Sequence, residues 1–152
     1  MRVIRKVKKI FRKMNMAKHY DPKLIDELKK EHNILFNIFT KINDNYEKEN
    51  FEQVLKLLKE FQTEFLEHIE FEDEYFYPYV KTKYKYVPET LKIIEEKQSE
   101  MLNITDTVKK FAENYATVEK IKNESFKKNL QQIGEALTNR VKFEEETLYL
   151  YY

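Results

Sequence analysis

Apolar residues recur every three or four positions along four long stretches of this chain, and short polar connections separate the stretches. Such spacing lines up apolar side chains on one face of an α-helix. An all-β fold is disfavoured, because its turns require glycine and proline and the 152 residues include one glycine and three prolines. Since short connections favour antiparallel neighbours, the pattern predicts an all-α, up-down-up-down four-helix bundle, with helices at about residues 22–45, 51–77, 88–115 and 122–150.

Two prolines predict where the second and third helices meet. Pro78 disfavours a helical residue before it, so the second helix should end close to Tyr77. Pro88 should begin the third helix, because proline suits the first helical position. The polar residues 81–87 should connect the two helices.

Polar side chains interrupt the core-facing stripe of every helix. They are His32 in the first helix, His68 and Glu72 in the second, Gln98 in the third, and Arg140 and Glu144 in the fourth. An unpaired charge costs several kcal/mol to bury, so these side chains should contact one another. The pattern therefore predicts one internal polar site.

The spacing of His68 and Glu72 suits the chelation of a metal ion. Residues four apart lie one turn apart on the same helix face. The chain has no cysteine, so any metal must be held by histidine and carboxylate. Two histidines with one or two carboxylates suit Fe(II), Mn(II) or Zn(II).

Four motifs of this sequence resemble those of the hemerythrin-like, HHE cation-binding family. They are Lys30-Glu31-His32; Phe65-Leu66-Glu67-His68-Ile69-Glu70-Phe71-Glu72 running into Tyr75-Phe76-Tyr77-Pro78; Glu95-Glu96-Lys97-Gln98-Ser99-Glu100-Met101; and Arg140-Val141-Lys142-Phe143-Glu144-Glu145-Glu146. The resemblance covers about residues 22–150. It implies a helical bundle around a non-haem di-iron centre, in a protein that binds oxygen, senses oxygen or iron, or helps repair iron–sulfur centres under nitrosative stress.

The resemblance also implies a role for each polar residue of the predicted site. His32 and His68 stand where the ligands of one iron stand, and Glu72 and Glu144 stand where the bridging carboxylates stand. Gln98 and Arg140 stand where histidines of the other iron are expected.

The substitutions at these last two positions change the expected metal content. Glutamine is a poor iron ligand, and a guanidinium stays protonated and cannot coordinate. Three outcomes remain open: a single ion, which we expect rather than two; a metal-free polar core in which Arg140 replaces the lost cation; and a dinuclear centre.

A basic amphipathic segment, residues 1–20, precedes the predicted bundle of residues 21–152. Residues 1–18 carry eight lysines or arginines and no acid, which leaves 20 basic and 27 acidic residues for the remainder. Its apolar stripe consists of Val3, Ile4, Val7, Ile10, Phe11 and Met14. The segment could contact an anionic surface, nucleic acid or lipid, through residues 2–18, or it could simply dock as a helix on the bundle.

Three functions follow as hypotheses. The first is a metal-dependent binder or sensor of oxygen, nitric oxide or iron. The second is a structural or interaction bundle that has lost its metal. The third is catalysis by a mononuclear iron, since a site of two histidines and a carboxylate can activate oxygen. No nucleophile–base pair or phosphate loop is evident and no substrate pocket can be read from the sequence, so catalysis ranks lowest of the three.

The remaining expectations concern location and surface residues. No apolar run approaches the roughly 20 residues of a membrane span, and the start lacks the apolar stretch of a signal peptide, so we expect a cytoplasmic protein. His19 should lie at the surface. Tyr149, Tyr151 and Tyr152 should close one end of the bundle or contact another subunit in a homo-oligomer.

Overall fold

The protein is a four-helix bundle, as predicted. The computed structural model describes residues 19–152, and these contain helices and no strand. The helices are α1 (Leu24–Glu47), α2 (Phe51–Phe71), α3 (Tyr77–Lys83), α4 (Pro88–Asn114), α5 (Val118–Ile121) and α6 (Ser125–Glu146). The four long members are α1, α2 with its continuation α3, α4 and α6, and the predicted basic segment lies almost entirely outside the described residues.

The second long helix does not end near Tyr77, which corrects the prediction made from Pro78. A π-helical segment, Glu72–Phe76, follows α2 directly, and α3 continues the chain to Lys83. The backbone N–H of Tyr77 donates to the carbonyl of Glu72, five residues earlier. Pro78 then falls in the first turn of α3, directly after the π-helical segment, which accommodates a residue without an N–H inside a continuous helix.

The fourth helix also differs from its predicted limits. It ends at Glu146, whereas the prediction extended it to about residue 150. A 3₁₀ turn, Leu148–Tyr151, follows the helix. This turn is held to the bundle by Lys83, whose Nζ donates to the carbonyls of Tyr151 and Tyr152 at 3.0 and 3.1 Å. The backbone N–H of Asp21 donates to the hydroxyl of Tyr152 at 2.7 Å, so the tail packs at the end of the bundle where α1 begins.

The hydrophobic core consists of two clusters that the polar site separates. Along α1, Leu28 belongs to one cluster and Leu35 to the other, and His32 lies between them. Along α2, His68 lies in the same way between Phe65 and Phe71. Burial of these apolar side chains stabilises the helices on both sides of the site, so the polar residues are fixed within a packed interior.

Within the part of the chain that is described, no helix combines the length and the hydropathy required to cross a membrane.

Candidate metal centre

Four of the predicted site residues meet in the middle of the bundle. They are His32 on α1, His68 at the end of α2, Glu72 at the start of the π-helical segment and Glu144 on α6; all four are buried. Each offers a nitrogen or carboxylate oxygen, and these four atoms lie within 4.8 Å of one another. The α-helical repeat brings His68 and Glu72 together, whereas bundle packing brings His32 and Glu144 to them.

The two imidazoles face each other through their Nε2 atoms. His32 Nε2 lies 3.1 Å from His68 Nε2. On its outer side, His68 Nδ1 donates to Glu31 at 2.9 Å, and His32 Nδ1 donates to Glu145 at 2.8 Å. Because a carboxylate accepts the Nδ1 proton in each case, the Nε2 atoms are the ones available at the centre, as in carboxylate–histidine–metal arrangements.

The carboxylate of Glu72 is buried without a hydrogen bond. Neither of its oxygens has a hydrogen-bond partner in the described part of the chain. His68 Nε2 lies 2.7 Å from Glu72 Oε1, within ion-pair distance. The two groups are not aligned for a hydrogen bond. A buried carboxylate is costly unless it is paired or coordinates a cation, so Glu72 requires either a protonated His68 or a bound cation beside it.

The second carboxylate, Glu144, is paired on both sides. Its Oε1 lies 3.1 Å from His32 Nε2, and its Oε2 accepts from Arg140 Nε at 3.2 Å. Arg140 also donates from Nη1 to the carbonyl of Lys97 and from Nη2 to the hydroxyl of Tyr77, each at 2.9 Å. The guanidinium is therefore held beside the centre by three different groups.

Gln98 lies apart from these contacts. It is half-buried, and its amide donates to the exposed carboxylate of Asp73 at 3.2 Å. The neighbouring carbonyl of Lys97, and not the side chain of Gln98, reaches the centre by accepting from Arg140.

Opposing effects set the pKa values of the ionisable groups. Burial alone would lower the pKa of His68, but the charge of Glu72 and the hydrogen bond with Glu31 raise it to about 10. Burial and the charge of Glu144 raise the pKa of Glu72 to about 7. Burial would also raise the pKa of Glu144, but the hydrogen bond with His32 and the charge of Arg140 hold it below its ordinary value. Without a metal, the centre thus retains protons on His68.

The donor set fits a metal ion of the first transition row. Two imidazole nitrogens and two carboxylate oxygens suit Fe(II), Mn(II) and Zn(II), which accept mixed nitrogen and oxygen ligands. Two donor atoms that bind one ion from opposite sides, each at about 2.0–2.2 Å, lie about 4 Å apart. The four donor atoms of this cluster lie within 4.8 Å of one another. The group of four can thus hold one ion with little movement.

Three residues touch this centre although the sequence did not place them there. Glu31 and Glu145 orient the imidazoles. Each is adjacent in sequence to a predicted ligand, and this position could have identified both. Tyr149 was expected at the end of the bundle or in a subunit contact. Its ring instead stacks on His32 with an interplanar angle of 11°, and its hydroxyl lies 3.2 Å from His32 Nε2.

The family comparison agrees with this arrangement. The family model for the hemerythrin HHE cation-binding domain matches residues 23–152. No curated protein and no solved structure matches the chain significantly. The matched region contains all four long helices and all of the clustered histidines and glutamates. The chain therefore belongs to the hemerythrin HHE cation-binding family.

Proposed function

We propose that this protein holds one non-haem iron ion at His32, His68, Glu72 and Glu144, and that it binds or senses oxygen, nitric oxide or iron through that ion. The buried carboxylate of Glu72, which accepts no hydrogen bond from the described residues, supports the proposal most directly. The two Nε2 atoms beside it, 3.1 Å apart, are a second support, because the outer hydrogen bonds of both imidazoles turn these nitrogens towards the same point.

A single ion agrees better than two with the position of Arg140. Its guanidinium is buried and donates to Glu144, so it brings a fixed positive charge to one side of the centre. A second metal ion there would be repelled by that charge and would lack the histidine ligands of a dinuclear site. The protein would thus keep one half of the family's metal centre.

When bound, iron supplies a position for a diatomic ligand, and the chain's own groups surround that position. The hydroxyl of Tyr149 can donate a hydrogen bond there, because it already lies 3.2 Å from the Nε2 of His32. Glu31 and Glu145 hold the imidazoles in the orientation that points Nε2 inwards. The two apolar clusters pack on either side of the centre.

One specific observation favours a second candidate, a metal-free structural bundle. The raised pKa of His68, about 10, allows an imidazolium to face Glu72, while Arg140 faces Glu144. Two positive groups would then balance two carboxylates without a metal.

Metal content separates the two candidates. Protein purified without chelators should contain close to one iron per chain by elemental analysis. His68→Ala and Glu72→Gln should reduce this ratio to near zero. The matched control is His19→Ala, since His19 is exposed and outside the cluster. A ratio near zero in the parent protein after supply of Fe(II), Mn(II) or Zn(II) would favour the metal-free bundle instead.

A further inference from the structure

A cavity of about 590 Å³ leads from the surface to the metal centre. Exposed polar side chains of α1 and α6, among them Asn43, Gln131 and Glu135, lie at its outer part. His32, His68 and Glu144 contribute to its wall, so its inner part meets three of the four residues proposed to hold the metal.

The cavity is far larger than a diatomic ligand requires. Oxygen and nitric oxide are close in size to a water molecule, whose share of liquid volume is about 30 Å³. Sites for small organic molecules typically measure about 300–1,000 Å³, and this cavity falls within that range. Along α1 it extends from His32 to Asn43, a distance of about 16 Å at the α-helical rise.

Apolar side chains line the cavity between its two ends. Leu35, Phe36 and Phe39 contribute from α1, Phe65 from α2 and Leu137 from α6. An occupant of this part gains free energy by removing apolar surface from water. The lining therefore selects an elongated apolar group and offers it few hydrogen-bond partners.

The single glycine of the chain lies in the cavity wall and permits this shape. A Cβ at Gly134 would lie 2.8 Å from Phe39 Cζ and 3.0 Å from Phe39 Cε1, closer than side chains tolerate. The absence of a side chain at Gly134 therefore lets the Phe39 ring stand directly against α6.

We infer that this cavity binds a medium- or long-chain carboxylate, with its alkyl chain along the apolar wall and its carboxylate at the metal ion. The inference rests on the proposed function, because the ion is the anchor. Iron accepts up to six ligands, and the cluster provides four, so a carboxylate oxygen from the occupant can complete its coordination.

The charges nearest the ion also favour an anionic head group. A divalent cation with Glu72, Glu144 and Arg140 leaves one positive charge in excess. The carboxylates of Glu31 and Glu145 lie one imidazole further out, and each accepts a hydrogen bond from its imidazole, so distance and this pairing weaken their repulsion. Without the ion no such excess of positive charge remains to attract a carboxylate.

Calorimetric titration with three probes tests each part of this inference. Dodecanoate carries both the chain and the head group, dodecanol lacks the charge, and acetate lacks the chain. The protein is loaded with one equivalent of Fe(II) without oxygen, and its iron content is measured. Dodecanoate should bind at least about tenfold more tightly than either other probe, and at least about tenfold more tightly than it binds chelator-treated protein.

A matched pair of variants locates the binding. Thr138 and Thr107 are both exposed, and each donates from its hydroxyl to the carbonyl four residues earlier, but Thr138 lies in the cavity wall and Thr107 does not. Thr138→Trp should weaken dodecanoate binding at least about tenfold with iron content unchanged, whereas Thr107→Trp should leave both unchanged.

The outcomes separate this inference from the proposed function. Full iron content with equal dodecanoate affinity in loaded and chelated protein, or equal affinity in the two tryptophan variants, would overturn the inference alone. An iron content near zero after loading would overturn the proposed function and the anchored carboxylate with it.

Discussion

Arg140 and Glu144 form a buried ion pair one turn apart on α6, with Arg140 Nε 3.2 Å from Glu144 Oε2. The guanidinium also donates to Tyr77 and to the carbonyl of Lys97. It therefore neutralises one of the two carboxylates of the centre and leaves Glu72 to face His68. The predictions below depend on this unequal pairing of the two glutamates.

Arg140→Ala should destabilise the metal-free protein by about 3–5 kcal/mol, because it leaves a buried carboxylate without its partner. The free energy of unfolding in urea, measured with a chelator present, checks this value. Lys127→Ala serves as the control, since it breaks an exposed ion pair with Glu47 and should change stability little. Equal unfolding free energies for Arg140→Ala and the parent protein would mean that Arg140 does not stabilise the centre.

Arg140→His should raise the metal content towards two ions per chain. The change removes the charge that repels a second ion and places an imidazole one turn from Glu144. Elemental analysis after loading with Fe(II) measures the ratio. Gln98→His should add little to this effect, because Gln98 is directed towards Asp73. A ratio that stays at or below one in Arg140→His would contradict the prediction.

Glu72→Gln should abolish metal-dependent stabilisation. In the parent protein a chelator should lower the melting temperature, because metal binding stabilises the folded state. In Glu72→Gln the chelator should have no effect, since an amide is a weak ligand. Glu70→Gln on the same helix is the control, because Glu70 is exposed and its variant should respond like the parent. A chelator shift of parental size in Glu72→Gln would exclude Glu72 as a ligand.

The metal-free protein should lose stability as the pH rises from about neutral to about 10. The pKa of His68 is raised from 6.5 to about 10, so its contribution is complete below 6.5 and disappears as the pH rises through 10. The pKa of Glu72 is raised from 4.5 to about 7, so its contribution disappears as the pH rises through 7.

Urea unfolding with a chelator, repeated at several pH values, checks this dependence. In His68→Gln the free energy of unfolding should change less between pH 7 and 10 than in the parent protein. The lowered pKa of Glu144 acts in the opposite direction and removes stability only under acidic conditions. Stability that rises between pH 7 and 10 would contradict the assignment of a raised pKa to His68.

Deleting residues 2–14 should weaken retention on heparin if the basic segment binds an anionic partner. These residues lie outside the described part of the chain, so the prediction rests on their sequence. Retention of the full chain should fall steeply with salt, because bound counterions are released from the polyanion. Circular dichroism should show the bundle still folded after the deletion. Unchanged retention would leave the segment without a binding role.

The sequence determined the fold class and much of the centre, because helical periodicity is a local property of the chain. The three- and four-residue spacing placed His32, His68, Glu72, Arg140 and Glu144 on core-facing stripes, and all five are buried. His32 in the first half of its helix and His68 in the second half of the antiparallel neighbour were then expected to meet at a similar height. The error at Tyr77 arose because Pro78 is accommodated by a π-helical segment, which residue preferences do not reveal.

Only the tertiary structure decided which partners each polar side chain has. The rotation of each helix about its axis and its register against its neighbours depend on how the whole core packs. That packing turns Gln98 towards Asp73, brings Glu31 and Glu145 to the imidazoles, and returns the tail so that Tyr149 stacks on His32. It also leaves the cavity between α1 and α6, which no periodicity in the sequence predicts, because a cavity is formed by side chains that are far apart in the chain.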